Sequence, residues 1–194
     1  MLEYIKGSIS ELTPTYVVLE TSQMGYFIHI SLNTYTSLRD KETATLYIYE
    51  AIREDAYILY GFTDKEERQL FSLLVSVSGI GTNTARMILS SFSVPELEHI
   101  IASDNVNQLK GVKGIGLKTA QRVIIDLKDK VRKGLASDHL VSGSKINTNK
   151  EEALSALVML GFNPAASAKV IDKIVAESPE LTLEKMIKEA LKRM

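Results

Sequence analysis

The chain contains no cysteine, so it can form neither disulfide bonds nor thiolate metal sites, and it has no cysteine nucleophile. Its three histidines, His29, His99 and His139, are far apart in sequence and form no pair with metal-ligand spacing. No apolar run approaches the roughly 20 residues of a membrane-spanning helix. The first residues also lack the basic and apolar segments of a signal peptide. We therefore expect a cytoplasmic protein that has neither a metal nor another cofactor.

The total charge is nearly balanced, with 23 basic and 24 acidic side chains and a net charge of −1. The local charge is not balanced. Residues 1–62 hold 4 basic and 8 acidic side chains, residues 63–135 hold 11 and 8, and residues 136–194 hold 8 and 8. An acidic, a basic and a neutral segment therefore follow one another, and we expect them to have different partners.

The acidic first segment has the pattern of a small β-domain. Short stretches rich in Ile, Val, Leu, Tyr and Phe alternate with turn-forming residues, which is typical of strands. Five strands in about 60 residues favour a small barrel or sandwich, because a flat sheet of that size would leave its edges open. The predicted strands are residues 1–10, 16–21, 26–31, 44–50 and 57–62.

The pattern changes to short helices from residue 63 to residue 134. Thr63 with Glu66, and Ser93 with Glu96, match the capping box that begins a helix. Asp104 is a third candidate N-cap residue. This segment is also the basic one, so a helical domain of residues 63–134 is the candidate for binding an anion.

A polar stretch at residues 135–149 predicts a flexible linker. It precedes a unit of three helices at residues 150–194, which we expect to form a small (UBA-like) bundle. Thr148 with Glu151 is the candidate cap of its first helix, Asn163-Pro164 begins the second, and Thr182 begins the third. The whole chain is thus predicted to be a multidomain α+β protein.

The helical middle segment contains an internal repeat. Val77-Ser78-Gly79-Ile80-Gly81-Thr82-Asn83-Thr84-Ala85 returns 35 residues later as Val112-Lys113-Gly114-Ile115-Gly116-Leu117-Lys118-Thr119-Ala120, with six of nine positions identical. A repeat at this spacing indicates one supersecondary unit that is used twice.

Each Gly-Ile-Gly is expected to join two helices. Glycine permits positive φ and close approach of a foreign backbone, while the central isoleucine can plug the core. The following helix then presents free N–H groups and the positive end of its dipole, a combination that binds phosphate without recognising sequence. The predicted phosphate-binding residues are Gly79, Gly81 and Asn83 in the first copy and Gly114, Gly116, Lys118 and Arg122 in the second.

Other interpretations of the glycines fit less well. A dinucleotide-binding fingerprint needs a third glycine and a preceding strand, but Thr84 and Thr119 stand at the third position and helices precede both turns. The Gly-Lys-Ser/Thr of a P-loop is absent from the sequence. A plain helix–helix turn remains an alternative, although two copies in a basic segment make it less attractive.

The repeated Val-x-Gly-Ile-Gly-x-x-Thr-Ala resembles the helix-hairpin-helix motif, which binds DNA backbones. With a five-stranded domain before it, a helical tail after it and the stretch Arg53-Glu54-Asp55-Ala56-Tyr57-Ile58-Leu59-Tyr60-Gly61-Phe62, the whole chain is similar to the RuvA family. The resemblance is strongest over residues 53–125. It implies an OB-fold barrel, a tandem helix-hairpin-helix domain and a C-terminal domain.

The resemblance also implies a function. RuvA-like proteins form homotetramers, singly or in pairs, that hold four-way (Holliday) junction DNA open in recombination, DNA repair and the SOS response to DNA damage. Their C-terminal domain recruits the RuvB hexameric ATPase, and the RuvC resolvase joins the same complex. The chain would then have no catalytic site and would be the non-catalytic subunit of an ATP-dependent helicase complex. Leu160, Phe162 and Leu191 are the candidate residues for binding the RuvB motor, and packing in the core of the three-helix bundle is the alternative role of each.

Glu54 and Asp55 are predicted at the tip of the last hairpin of the barrel, where a solvated turn is the simplest interpretation. The resemblance matches this pair to the acidic pin of the family, which would repel phosphate at the junction centre. One departure concerns the first repeat, where the family often has Gly-Pro-Lys and this chain has Gly81-Thr82-Asn83. That difference leaves open whether the first repeat keeps a charged phosphate contact, whereas Lys118 matches the lysine of the second repeat.

Two other functions stay open at this point. The first is a helix-hairpin-helix glycosylase or lyase, which would need a base-flipping pocket. The residues after the second repeat give no sign of one. The second is single-strand binding by the barrel, for which Tyr26, Phe27, Tyr47 and Tyr49 are aromatic candidates. The net charge of −4 over residues 1–62 makes core or subunit packing the preferred role of these rings. A nuclease centred on Glu54 and Asp55 is disfavoured, because adjacent carboxylates tend to diverge.

Overall fold

The computed structural model describes residues 1–138, 145–178 and 180–194. They form two compact units, Met1–Gly134 and Leu135–Met194. The strands are β1 (Tyr4–Leu12), β2 (Tyr16–Thr21), β3 (Met24–Ile30), β4 (Thr43–Ile52) and β5 (Tyr57–Phe62). The helices are α1 (Leu32–Leu38), α2 (Lys65–Val75), α3 (Thr82–Ser91), α4 (Val94–Ala102), α5 (Val106–Lys110), α6 (Leu117–Asp138), α7 (Lys145–Met159), α8 (Pro164–Glu177) and α9 (Leu183–Arg193).

The five strands close into a barrel in the order β1-β2-β3-β5-β4. All neighbours are antiparallel except β3 and β5, and pairing of β1 with β4 leaves no free edge. Alternate side chains fill the interior, as period-two patterns require; they include Val17, Leu19, Ile28, Leu46 and Ile48. The predicted multidomain α+β fold with an N-terminal barrel is confirmed, and each predicted strand is present within a few residues.

A short helix that the sequence analysis did not predict, α1, connects β3 to β4 and contacts the helical part. Its N-cap residue Ser31 and its buried Thr34 donate hydroxyl hydrogen bonds to the carboxylate of Glu67 in α2, at 2.5 and 2.9 Å. Glu67 is only 3% exposed. A buried carboxylate is tolerated where hydrogen-bond donors surround it, and here two hydroxyls of the barrel domain supply them.

This buried carboxylate makes stability depend on pH. Burial raises the pKa of Glu67 above its usual value near 4.5; the two hydroxyl donors oppose this rise and the charge of Asp64 adds to it. The folded state therefore holds the proton more tightly than the unfolded chain does. The free energy of unfolding should then fall as the pH rises from about 4.5 through the folded-state pKa. Glu67→Gln should abolish this decline, so its free energy of unfolding should rise relative to that of the wild type as the pH increases.

Urea unfolding followed by tyrosine fluorescence tests this expectation, because all eight tyrosines lie within residues 1–62. Glu67→Ala serves as the comparison, since it leaves the Ser31 and Thr34 hydroxyls without their acceptor. It should lose about 1–3 kcal/mol of stability across the pH range. A parallel pH dependence of the wild type and Glu67→Gln would show that titration of this carboxylate does not cause the decline in stability.

The helical part of the first unit begins at residue 65, and two of its predicted caps were wrong. Asp64, not Thr63, is the N-cap of α2, because its carboxylate accepts the N–H of Glu67 at 2.7 Å. Asn105, not Asp104, caps α5; Asp104 instead has a positive φ of 58° and pairs with Lys128 of α6. The capping box of Ser93 and Glu96 at α4 is confirmed.

The second unit contains a three-helix bundle, as predicted. Its core consists of Ala153, Leu157, Ile171, Ile174, Met186 and Ala190. Asn163 and Thr182 are the N-caps of α8 and α9, as predicted, but α7 begins at Lys145, so Thr148 lies inside it and is not its cap.

The predicted linker, residues 135–149, is occupied in part by helix. Helix α6 continues to Asp138 and α7 starts at Lys145. Residues 139–144 lie outside the described residues, and the linker remains a prediction. None of the helices in the described ranges combines the length and apolar character needed to cross a membrane.

Candidate nucleic-acid interface

The two copies of the sequence repeat fold into the same loop, each between two helices. In the first, Val77 N–H donates to Leu74 and Ile80 N–H to Val77. In the second, Val112 N–H donates to Leu109 and Ile115 N–H to Val112. The central isoleucines are 6% and 5% exposed, so they plug the core as expected. We call the pair α2–loop–α3 hairpin one and the pair α5–loop–α6 hairpin two.

The two glycines of each loop have different structural roles, which the sequence analysis did not distinguish. Gly79 and Gly114 have φ values of +93° and +90°, a conformation that other residues adopt only with strain. Gly81 has a φ of −88° as the N-cap of α3, and Gly116 also lies outside the left-handed region. Beyond the adjacent residues of the chain, no atom lies within 4 Å of a Cβ built on Gly81 or Gly116. The second glycine therefore leaves open space before the helix.

The two hairpins lie against each other. A Cβ built on Gly79 would be 3.9 Å from Thr119 Oγ1 in α6, and one built on Gly114 would be 3.8 Å from Met87 Cε in α3. Each loop thus faces the helix that follows the other loop. The repeat therefore builds one surface from two copies, and the starts of α3 and α6 belong to it.

Each of these helix starts presents backbone amides that have no partner within the helix. The first N–H groups to bond within the helices are those of Ala85, to Gly81, and Ala120, to Gly116, both at 2.9 Å. The three amides before each of them have no partner inside their helix, and no side chain caps α3. Such amides, at the positive end of the helix dipole, form an anion-binding arrangement.

The predicted polar side chains lie in the first turns of α3 and α6. Asn83, Lys118 and Arg122 are exposed, and neither Lys118 nor Arg122 has a carboxylate partner in the part of the chain that the structure describes. Lys113, in the loop of hairpin two, is also exposed. The sequence analysis missed Lys113, although its position within the repeat could have indicated it.

Glu54 and Asp55 form the tip of the β4–β5 hairpin. Arg53 N–H donates to the carbonyl of Ala56 at 2.8 Å, which closes the turn, and both acidic side chains are exposed. Their predicted position at a hairpin tip is therefore observed. Among the described residues, no three His, Asp or Glu side chains cluster as a metal site would require.

The three candidate motor-binding residues differ in exposure. Phe162 packs partly against the core of the three-helix bundle, whereas Leu160 is 60% and Leu191 is 42% exposed. Met159, which precedes Leu160, is 86% exposed. The end of α7 therefore presents apolar side chains to solvent.

The part of α6 that follows the second repeat is buried along one face. Val123, Ile124 and Leu127 of α6 are at most 4% exposed and belong to the helical core. Nothing at these positions indicates a base-flipping pocket.

A closed five-stranded barrel followed by two facing hairpins defines a class of protein, the barrel proteins with a tandem helix-hairpin-helix domain. Three family models match segments of the chain and agree with this class. They are the RuvA N-terminal domain at residues 1–61, the SAM-like helix-hairpin-helix tandem at 71–129 and the RuvA C-terminal domain at 148–194.

Curated relatives match the chain over its full length. One from Bacteroides fragilis is 55% identical over 201 residues, one from Christiangramia forsetii is 52% identical over 194, and one from Flavobacterium psychrophilum is 47% identical over 194. Each alignment covers 100% of both chains, and each relative is named Holliday junction branch migration complex subunit RuvA. The chain belongs to the RuvA family.

Proposed function

We propose that this chain forms a homotetramer that binds four-way (Holliday) junction DNA by its phosphate backbone, holds it open and recruits the RuvB ATPase for branch migration. It acts in the cytoplasm, in recombination and DNA repair, as a subunit without a catalytic site; RuvC is a further partner. The observation that carries the proposal is the pair of facing hairpins, which present amides that have no partner within the helix, with Lys118 and Arg122, on one surface.

Phosphate is the target that fits these groups. Amides at a helix start and flexible cations contact the backbone and carry no sequence information. A single subunit could thus bind a DNA duplex of any sequence. Preference for a junction then requires several subunits, each on its own arm.

The acidic hairpin supplies the second element. Glu54 and Asp55 project from the barrel, whose residues 1–62 carry a net charge of −4. In a fourfold assembly the four tips gather at the axis, where they repel phosphate and direct separated strands into the arms. Repulsion of the wrong arrangement is a recognised source of specificity.

A gel shift tests the proposal by comparing a four-way junction with a linear duplex of equal length. The junction should bind at least about tenfold more tightly, because linked contacts on several arms reinforce one another. Equal affinity for the two DNAs would contradict the proposal. Strand breaks in damaged duplex would favour the glycosylase alternative.

Lys118→Ala should reduce the salt dependence of junction binding. A cation that neutralises a phosphate releases a counterion, so the slope of log K against log salt should fall by about one for each phosphate that a subunit no longer neutralises. Lys130→Ala is the control, since Lys130 is exposed on the same helix about 18 Å further along. An unchanged slope for Lys118→Ala would remove this lysine from the phosphate site.

Glu54→Gln with Asp55→Asn should keep or tighten junction binding while its preference over duplex falls, because repulsion of DNA at the centre is removed. Competition gel shifts measure the preference, and light scattering verifies the tetramer. Asp40→Asn with Glu42→Gln makes the same charge change at another exposed place in the barrel domain and should leave the preference unchanged. Weaker junction binding by an intact tetramer would disprove the pin role.

A further inference from the structure

The two hairpins differ in the cations that they can offer to DNA. Hairpin two has exposed Lys118 and Arg122 in the first turns of α6. Hairpin one has no basic residue between Val75 and Gly81, and Arg86 is the single basic residue of α3. The Arg86 guanidinium is directed to the barrel: its Nη1 donates to the Thr15 carbonyl at 2.9 Å. Hairpin one therefore presents amides without a free cation of its own helix.

The barrel also holds the first residue of α3. The Tyr60 hydroxyl donates to Thr82 Oγ1 at 2.8 Å, and the two residues are 2% and 7% exposed. The Tyr60 ring is itself fixed, with its centroid 5.1 Å from that of Phe71. Thr82 follows Gly81 directly, so this hydrogen bond lies beside the amides that face the proposed phosphate.

The middle of α3 is held through Arg86. Besides the Thr15 carbonyl, Arg86 Nη1 lies 3.3 Å from Nδ1 of His29 on β3. Burial, and secondarily the charge of Arg86, lower the pKa of His29, which keeps the imidazole neutral and able to accept this hydrogen bond.

The far end of α3 is held by α1. Asn33 Nδ2 donates to the carbonyls of Leu89 and Phe92 at 2.6 and 2.9 Å, and the Leu32 N–H donates to Ser90 Oγ at 3.0 Å. The two carbonyls lie at the C-terminal end of α3, Phe92 being its C-cap residue, where carbonyls lack partners within the helix. The barrel domain therefore contacts α3 at its start, its middle and its end.

This anchoring has a consequence for binding. Attraction between a lysine and a phosphate tolerates misplacement, because charge acts over several ångströms and the side chain is flexible. A backbone N–H must reach its acceptor within about 2.7–3.2 Å and nearly in line. A hairpin that relies on amides alone needs a fixed position.

We propose that Tyr60, Arg86 and Asn33 are positioning residues that hold the amides of hairpin one at the phosphate, while hairpin two binds mainly through charge. This inference rests on the proposed junction binding and assigns its two hairpins different roles. The barrel then contributes to DNA binding through α3, in addition to presenting the acidic hairpin.

Tyr60→Phe tests the inference, because it removes the hydroxyl and retains the ring. Junction affinity, measured at several salt concentrations well below the melting temperature, should fall about threefold to tenfold. The salt slope should stay at its wild-type value, since the variant keeps every cation. Tyr49→Phe is the matched control: its ring also packs on Phe71, at 5.0 Å, and its affinity should not change.

The double variant Tyr60→Phe with Thr82→Val separates positioning from a structural effect. It leaves no buried hydroxyl unpaired but also restores no link to the barrel, so its binding should remain as weak as that of Tyr60→Phe. Recovery of wild-type affinity would assign the weaker binding to the unpaired Thr82 hydroxyl and overturn the inference. Wild-type affinity of Tyr60→Phe, or a reduced salt slope, would overturn it too.

Measurements on the wild-type protein separate a failure of the proposed function from a failure of the positioning role. If it binds a junction no better than a duplex, the proposed function fails. If it prefers the junction while Tyr60→Phe behaves like Tyr49→Phe, the proposed function stands and the positioning role of the barrel is refuted.

Discussion

A valine at Gly81 and at Gly116 together should reduce junction binding at least about 100-fold while the protein stays folded. Each hairpin would lose charge-assisted hydrogen bonds worth about 1.5–3 kcal/mol, and each 1.4 kcal/mol is about a tenfold loss of affinity. Neither position requires a left-handed backbone, and a Cβ there meets no atom within 4 Å beyond the adjacent residues. If phosphate binds these amides as proposed, the added side chain would occupy the space through which it approaches them.

The other glycine of each loop provides the contrast. Valine at Gly79 or Gly114 must adopt a φ near +90°, which costs about 1–2 kcal/mol even for an unbranched residue. These variants should lose stability together with binding. Gel shifts together with thermal melting by circular dichroism distinguish the Gly81 and Gly116 variants from the Gly79 and Gly114 variants. Ser155→Val, at an exposed position of α7, is the control. Undiminished binding by a folded Gly81→Val, Gly116→Val protein would show that phosphate does not contact these amides.

Removal of the second unit should abolish motor-driven branch migration and leave junction binding within about twofold of the wild type. The bundle offers no electrostatic reason to bind DNA, because residues 136–194 hold 8 basic and 8 acidic side chains. The two repeat loops and the acidic tip all lie in the first unit. Truncation after Gly134 removes this unit completely. Gel shifts, branch migration and RuvB-stimulated ATP hydrolysis are measured on the same preparation.

A point substitution makes this test sharper. Leu160 is 60% exposed, so Leu160→Asp should leave the bundle folded and still reduce stimulation of the motor. Phe162→Ala is the comparison, because its side chain packs on the bundle core and its removal should lower thermal stability as well. Branch migration by the truncated protein would refute recruitment through this unit. Failure of the truncated protein to bind junctions would mean that the tail belongs to the DNA-binding part.

The helix boundaries show where sequence patterns are sufficient and where they are not. The capping box at Ser93 was predicted correctly, because both of its members are local and reciprocal. At α2 and α5 two adjacent residues could each cap, and Asp64 and Asn105 were selected over Thr63 and Asp104. The choice depends on the backbone angles at which the chain enters the helix, and packing of the domain sets these angles.

Helix α1 was missed for a related reason. Its sequence, Leu-Asn-Thr-Tyr-Thr-Ser-Leu, contains β-branched and hydroxyl residues that have low helix propensity. It is stabilised by distant partners, the carboxylate of Glu67 and the carbonyls at the end of α3. A signal carried by contacts more than 30 residues away is not visible in a local pattern.

The sequence by itself determined the barrel strands, the repeated hairpins, the acidic tip and the three-helix unit, because hydrophobic period, turn residues and an internal repeat are local properties. The tertiary structure decided which groups are available to DNA. It turned Arg86 to the barrel while Lys118 stayed exposed, placed the two loops against each other, and gave the two glycines of each loop separate tasks. These outcomes depend on where distant segments meet, and the closed barrel and the packed hairpins fix those meeting points.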